Sequence, residues 1–281
     1  MKLAFSTNAY MRFSVEDSLG RLAGLGYGGV ELMADVPHAW PAGLLPEHKR
    51  RIRETLDRLE LSISNINAFM MNAVADPRQP YWYPSWIEPD LNYRRIRIEH
   101  TKRALTLAKE LTAPNITTEP GGPLATGQSF EQGLEEFVRE LRPVVEHAER
   151  EGVMLLVEPE PGLLIEKTEQ YLAFAERITS PMLGLNFDIG HQFCVGEDPA
   201  QAIRKLAPHI RHVHLEDIAP SRVHHHLIPG DGAIDFAAVV AALRQIDYRG
   251  WVTIELYPYV ENPDRAARTA FERIAPLVSP S

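Results

Sequence analysis

Eight short apolar runs, each followed by a longer helical pattern, constrain this chain more than any other feature. The runs are Leu3–Thr7, Gly29–Met33, Leu61–Asn67, Asn115–Glu119, Val153–Glu158, Leu183–Asp188, Ile210–Leu215 and Trp251–Glu255. Helical periodicity fills the intervals near Ser14–Leu25, Pro46–Leu59, Tyr93–Leu111, Phe130–Glu151, Glu166–Arg177, Pro199–Ala207, Phe236–Ile246 and Pro263–Leu277. Spread over 281 residues, these units average about 35 residues each, a comfortable length for a strand and its helix. The alternation predicts an α/β fold, a single-domain (β/α)8 barrel over residues 1–281, in preference to a doubly wound sheet. No Gly-x-Gly-x-x-Gly follows the first run, which counts against a dinucleotide-binding fold.

Local signals agree with this division. Ser14-Val15-Glu16-Asp17 reads as a capping box, and Gly152 stands where a helix C-cap is expected. Residues 70–92 are irregular, with Tyr81, Trp82, Tyr83 and Trp86 set among prolines. The segment follows the third strand, so it lies on the catalytic face, as a lid or substrate wall, or else as a packed loop or subunit contact.

Charge and cysteine content exclude some function classes. The balance is 29 Lys+Arg against 38 Asp+Glu, or −9. A broad nucleic-acid binder needs the opposite surplus to neutralise phosphates. Cys194 is the single cysteine, so no intrachain disulfide forms. It reads as a packed free thiol and suits a reducing cytoplasm. The start Met1-Lys2-Leu3-Ala4-Phe5 turns polar at Ser6, too soon for a signal-peptide core. No run approaches about 18 apolar residues, so no membrane span is expected.

The candidate chemistry comes from the two-residue period of the last four strands. Barrel strands turn apolar side chains toward the helices, and the other parity faces the axis. Leu155 and Val157 oppose Glu158; Leu185 and Phe187 oppose Asp188; Val213 and Leu215 oppose His214; Val252 and Ile254 oppose Glu255. Glu158, Asp188, His214 and Glu255 therefore point inward from four adjacent strands, near the C-terminal ends where barrel active sites sit. Three carboxylates in one pocket repel each other unless a positive charge lies between them. A divalent metal ion meets that need. The mostly oxygen donor set favours Mn2+ or Mg2+, with Co2+, Fe2+ and Zn2+ as alternatives.

With these residues in place, the sequence resembles the xylose isomerase-like TIM-barrel superfamily. That group holds sugar isomerases, ketose 3-epimerases, inosose dehydratases and endonuclease IV. The resemblance covers nearly the whole chain. It is carried by Asp188-Ile189-Gly190-His191, His212-Val213-His214, Pro229-Gly230-Asp231-Gly232-Ala233-Ile234-Asp235-Phe236 and Glu255. It implies one divalent metal held by Glu158, Asp188, His214 and Glu255, with Glu158 and Glu255 as the acid–base pair. A ketose would chelate the metal, its neighbouring C–H would become acidic, and an enediolate would form. His191 resembles the family's substrate-contacting histidine, whose counterpart in endonuclease IV is a metal ligand.

Further substrate contacts are expected from Glu160, Glu119, Trp86, Arg222 and, first within His224-His225-His226, His226. Glu31 ends the second strand on the inward side. It either orients a group in the site or pairs with Lys2 or an arginine, and the pairing is preferred. The chain departs from ketose 3-epimerases after the fifth strand. Glu158-Pro159-Glu160-Pro161 replaces their Asn-Arg pair and further glutamate, which counts against a ketohexose substrate. The third and fourth strands offer Asn65, Asn67 and Glu119 where endonuclease IV carries zinc-binding histidines. The leading expectation is a metal-dependent isomerase or epimerase of a sugar, cyclitol or related polyol ketone. A dehydratase on the same site is the nearest rival. An endonuclease IV-like phosphodiesterase and a non-catalytic sugar-binding barrel stand behind it. The expected partner is a small polyol or ketose, without nucleic acid or membrane, and the resemblance implies a homodimer or homotetramer.

Overall fold

The structure, a computed structural model, describes residues 1–78 and 81–278. Its strands are β1 (Lys2–Ser6), β2 (Gly29–Met33), β3 (Ser62–Asn67), β4 (Asn115–Thr118), β5 (Met154–Val157), β6 (Leu183–Asp188), β7 (Ile210–Leu215) and β8 (Trp251–Ile254). They pair in parallel, in sequence order, and β1 closes the ring against β8. Around them run α1 (Val15–Gly24), α2 (Pro46–Arg58), α3 (Leu91–Glu110), α4 (Phe130–Glu151), α5 (Thr168–Arg177), α6 (Ile189–Cys194), α7 (Pro199–Leu206), α8 (Phe236–Gln245) and α9 (Pro263–Val278). This is the (β/α)8 barrel that the alternation predicts.

Each expected strand is present with its ends within one residue of the expected ones. Three short elements were not expected: α6 and the 3-10 turns at Thr7–Tyr10 and Tyr257–Tyr259. They are too short for a periodic signal and sit after β6, β1 and β8, on the face where the site lies. The Ser14 hydroxyl accepts from the Asp17 N–H at 3.1 Å. The reciprocal capping box forms at α4, between Ser129 and Gln132. Gly152 closes α4 in the left-handed region, at φ 69°, as a C-cap glycine should.

The main core lies between strands and helices. Phe5, Val30, Leu32, Ile66, Ile116, Leu155, Val157, Leu185, Phe187, Val213, Leu215, Val252 and Ile254 all turn into it and are buried. Cys194 is a free thiol packed at its edge. The loop over residues 70–92 is tied down from α3. The buried Arg97 guanidinium donates to the carbonyls of Pro84 at 2.9 Å, Ala68 at 3.0 Å and Phe69 at 2.7 Å. No helix among the described residues is long and apolar enough to cross a membrane.

Candidate active site

Four strand ends meet at the top of the barrel. Glu158 follows β5, Asp188 ends β6, His214 is the penultimate residue of β7, and Glu255 follows β8. One donor atom from each lies within 4.8 Å of the others, and all four residues are buried. His214 Nδ1 is 2.9 Å from Glu158 Oε1, 3.7 Å from Glu255 Oε2 and 3.9 Å from Asp188 Oδ2. Asp188 Oδ2 is buried without a hydrogen-bond partner among the described residues.

The flanking sequence explains this placement. Asp188 Oδ1 accepts the His191 backbone N–H at 2.7 Å, so the same carboxylate caps α6 and keeps its other oxygen turned to the site. Gly190 stands where a Cβ would lie 1.8 Å from Glu216 Oε1. Asp217 explains the Pro229–Phe236 motif. Its carboxylate accepts from the backbone N–H groups of Ile218, Gly230, Gly232 and Ile234 at 2.8–3.1 Å. That segment is scaffold for the loop carrying His224 and His226.

A second group lines the cleft beside the first. His191 Nε2 lies 3.3 Å from Glu160 Oε2 and 3.6 Å from Asp188 Oδ2. His224 Nδ1 lies 3.2 Å from Glu160 Oε1, and its Nε2 is 3.1 Å from His226 Nε2. The His226 Nδ1 is 2.9 Å from the Glu255 carbonyl oxygen. Two of the three consecutive histidines therefore face the cleft, where one was expected, while His225 is exposed.

Three expected substrate contacts sit elsewhere. Trp86 is fully buried beneath the loop, its backbone N–H donating to Glu119 Oε1 at 2.8 Å and its indole to Thr118 Oγ1 at 3.1 Å. Glu119 spends its other oxygen on the Gly121 N–H at 2.7 Å. Both hold the loop to the end of β4 and do not line the cleft. Arg222 lies in a turn at φ 59°, with its guanidinium 4.8 Å from the Phe193 ring centroid, in a separate groove. Glu31 also departs from expectation. Among the described residues it pairs with neither Lys2, which lies over Trp251, nor an arginine; its Oε2 is 2.6 Å from His214 Nε2.

Several site residues were not expected. Glu216 is fully buried, with both carboxylate oxygens lacking hydrogen-bond partners among the described residues, and it clusters with Asp188 and His226. It continues the inward parity of His212 and His214 one step past β7, and that was the signal. Asn8 and Asn67 both donate to Glu255 Oε1, at 2.9 and 3.3 Å. Tyr81 and Tyr257 meet edge to face at the cleft mouth, with centroids 5.6 Å apart.

Burial and mutual charge set the protonation states. Burial, opposed by His214 and reinforced by Glu158, raises Glu255 well above the usual carboxylate range. Burial and the neighbouring Asp188 do the same to Glu216. Burial raises Glu160 to about 8, against the pull of His191. Burial would also raise Asp188, but His191, Glu216, His226 and His214 hold it below its ordinary value. The buried His214 is kept protonated well above the usual imidazole range by Glu31, Glu158 and Glu255. His191 rises to about 9 despite burial, through Asp188, Glu160 and Glu158. Burial lowers His226 to about 3 and His224 to about 2.

The donor set suits a hard divalent cation. Three carboxylates and one imidazole nitrogen converge, and one carboxylate oxygen has no protein partner among the described residues.

Comparison with known proteins supplies the family context. Residues 19–277 match the family model described as xylose isomerase-like TIM barrel. The chain is 26% identical to fructoselysine 3-epimerase of Escherichia coli O157:H7, over 99% of this chain and 98% of that protein. It is 29% identical to inosose dehydratase of Geobacillus kaustophilus, over 45% of this chain and 47% of that protein. A crystal structure described as a D-tagatose 3-epimerase-like protein superposes with a TM-score of 0.84 at 25% identity, covering 99% of this chain and 97% of that one.

Proposed function

The chain belongs to the xylose isomerase-like TIM-barrel family, and from that premise we propose that it is a divalent-metal-dependent epimerase or isomerase of a sugar, cyclitol or related polyol ketone. The observation that carries this reading is the convergence of Glu158, Asp188, His214 and Glu255 at the top of the barrel. These four would hold the ion, Mn2+ or Mg2+ by the hardness of the donors. When bound, the ion supplies Lewis-acid polarisation of the substrate carbonyl.

The chain's own residues do the rest. Glu158 and Glu255 are the acid–base pair, from strands on different sides of the ring. One accepts the proton from the carbon beside the carbonyl and the other returns it. Asn8 and Asn67 hold Glu255 by Oε1, which fixes the carboxyl group with Oε2 toward the cleft. His191, protonated at neutral pH, and Glu160, largely a neutral acid there, bind substrate oxygens, and His226 and His224 complete that wall. Tyr81 and Tyr257 narrow the mouth and limit water. The similarity to an epimerase along the full chain supports this assignment.

One observation favours a dehydratase as the second reading. Glu160 lines the cleft with Oε2 3.3 Å from His191 Nε2, and its burial raises it to about 8, which favours the protonated acid at neutral pH. A hydroxyl expelled from the carbon β to the carbonyl could take that proton and leave as water.

The test is solvent-deuterium incorporation into a panel of ketoses and inososes, with added Mn2+. Label at the carbon next to the carbonyl in an inverted product identifies an epimerase. Loss of water identifies a dehydratase. Mn2+-loaded protein that exchanges no label with any member of the panel defeats the enzymatic reading.

A further inference from the structure

Resting on the reading of His214 as a metal ligand, we infer that Glu31 is a positioning residue that aims the His214 ring at the ion from beneath. The ring has two nitrogens; the Asn186 amide nitrogen lies beside both, 3.2 Å from Nδ1 and 3.4 Å from Nε2, but their acidic neighbours differ. Nδ1 faces Glu158, Asp188 and Glu255. Nε2 faces Glu31 Oε2 at 2.6 Å. A nitrogen that binds a cation must present its lone pair, so the ring's single proton sits on Nε2. That proton points at the Glu31 carboxylate.

Glu31 is well placed for this task. It lies inside β2, and both it and His214 have no solvent exposure. Its Oε2 also accepts from Asn65 Nδ2 at 2.7 Å. Asn65 in turn donates to Thr117 Oγ1 at 2.8 Å and accepts from Asn115 Nδ2 at 2.6 Å. The tether therefore runs from β7 through β2 and β3 to β4, entirely on strands. His212 Nε2, at 3.9 Å, is too far from Glu31 Oε2 to compete by hydrogen bonding. A carboxylate accepting from the distal N–H of a ligating imidazole fixes the ring and makes its other nitrogen more basic.

Glu31→Gln and Glu31→Ala separate acceptor from charge. Mn2+ titrations at constant pH should show one ion per wild-type chain. Kd should rise about 10-fold in Glu31→Gln, which keeps an acceptor, and about 100-fold in Glu31→Ala, which does not. Circular dichroism checks that each variant folds, and if Glu31→Ala does not, Glu31→Gln decides. A second readout is the His214 Hε2 proton resonance in Zn2+-loaded protein. It should be far downfield and slow to exchange in wild type, move upfield in Glu31→Gln and vanish by exchange in Glu31→Ala. Unchanged Kd in the folded variants, or an Hε2 signal indifferent to the substitution, overturns the inference. Wild-type protein that binds no Mn2+ instead overturns the metal reading beneath it. A second ion in wild type that Glu31→Ala loses would place a cation among Glu31, His212 and His214 and overturn the tether.

Discussion

Mn2+ should bind this protein more tightly as the pH rises, by up to about 100-fold per pH unit, the slope for two displaced protons. The magnitude follows from which ligands carry protons before the ion arrives. His214 is held protonated well above its ordinary range by Glu31, Glu158 and Glu255, against its burial. Burial keeps Glu255 protonated as well. Asp188 is already ionised, because neighbouring imidazoles outweigh its burial. Binding therefore displaces one proton from His214 and one from Glu255. Each displaced proton makes the binding free energy vary by ~1.4 kcal/mol per pH unit, and two make ~2.7 kcal/mol. Both pKa values are raised, so lower pH favours the proton and higher pH favours the ion. Isothermal titration calorimetry in buffers of different ionisation enthalpy counts the protons directly. Glu255→Gln has no proton to lose, so its dependence should fall to about 10-fold per unit. A Kd flat with pH, or the same steep dependence in Glu255→Gln, would refute the reasoning.

Glu255→Gln should also slow deuterium exchange into substrate by about 10²–10⁴-fold while KM stays within a few fold, as expected for loss of an acid–base group; steady-state kinetics on the substrate found in the panel checks this. Arg97→Met should destabilise the protein by about 3 kcal/mol or more, because three buried carbonyls lose a charged donor; urea unfolding measures it. His100→Asn should flatten the acid side of the stability curve. Burial, with Arg97 nearby, lowers His100 to about 3 in the folded state. The unfolded chain takes up that proton below about 6.5, so this residue costs ~1.4 kcal/mol of stability per unit as pH falls toward 3. Unfolding free energies at two pH values in that window should differ less in the variant by that amount.

How far the site was legible depended on whether a residue lay on a strand. Strict alternation placed Glu158, Asp188, His214 and Glu255 because each sits on, or one step beyond, a regular stretch. Alternation does fail in two places. The register passes from Val30↔Ile63 to Glu31↔Asn65, and from Leu185↔Ile210 to Asn186↔His212, so β3 and β7 each carry an extra residue. Both irregularities precede the site residues, so the parity that mattered survived. Loops have no parity, and there the reading fell short. Arg222 was nominated by its place in a loop, but a left-handed turn swings it onto Phe193. Trp86, in a loop read either as a substrate wall or as a packed loop, and Glu119, at the end of the fourth strand, were both expected to touch substrate. The loop instead folds Trp86 inward, and Glu119 caps it from below.

The division of labour within the barrel explains why such a costly constellation is tolerated. In many barrels the interior is filled by layers of branched apolar side chains. Here the inward positions are largely polar: Ser6, Glu31, Asn65, Thr117, Asn186, Asp188, His212, His214 and Thr253 are all buried. Apolar cohesion is concentrated on the outward parity, where Phe5, Leu32, Ile116, Val157, Phe187 and Val213 pack against the helices. Inward groups such as Glu31, Asn65, Thr117 and Asn115 satisfy one another across neighbouring strands. Their burial costs less than isolated charges would. Unsatisfied atoms remain at two levels among the described residues: inside the barrel at Glu31 Oε1, Asn186 Oδ1 and both ring nitrogens of His212, and at the top at Asp188 Oδ2 and both oxygens of Glu216. A cation binding there would meet Asp188 already ionised and would have to displace the protons that burial and mutual charge keep on His214 and Glu255.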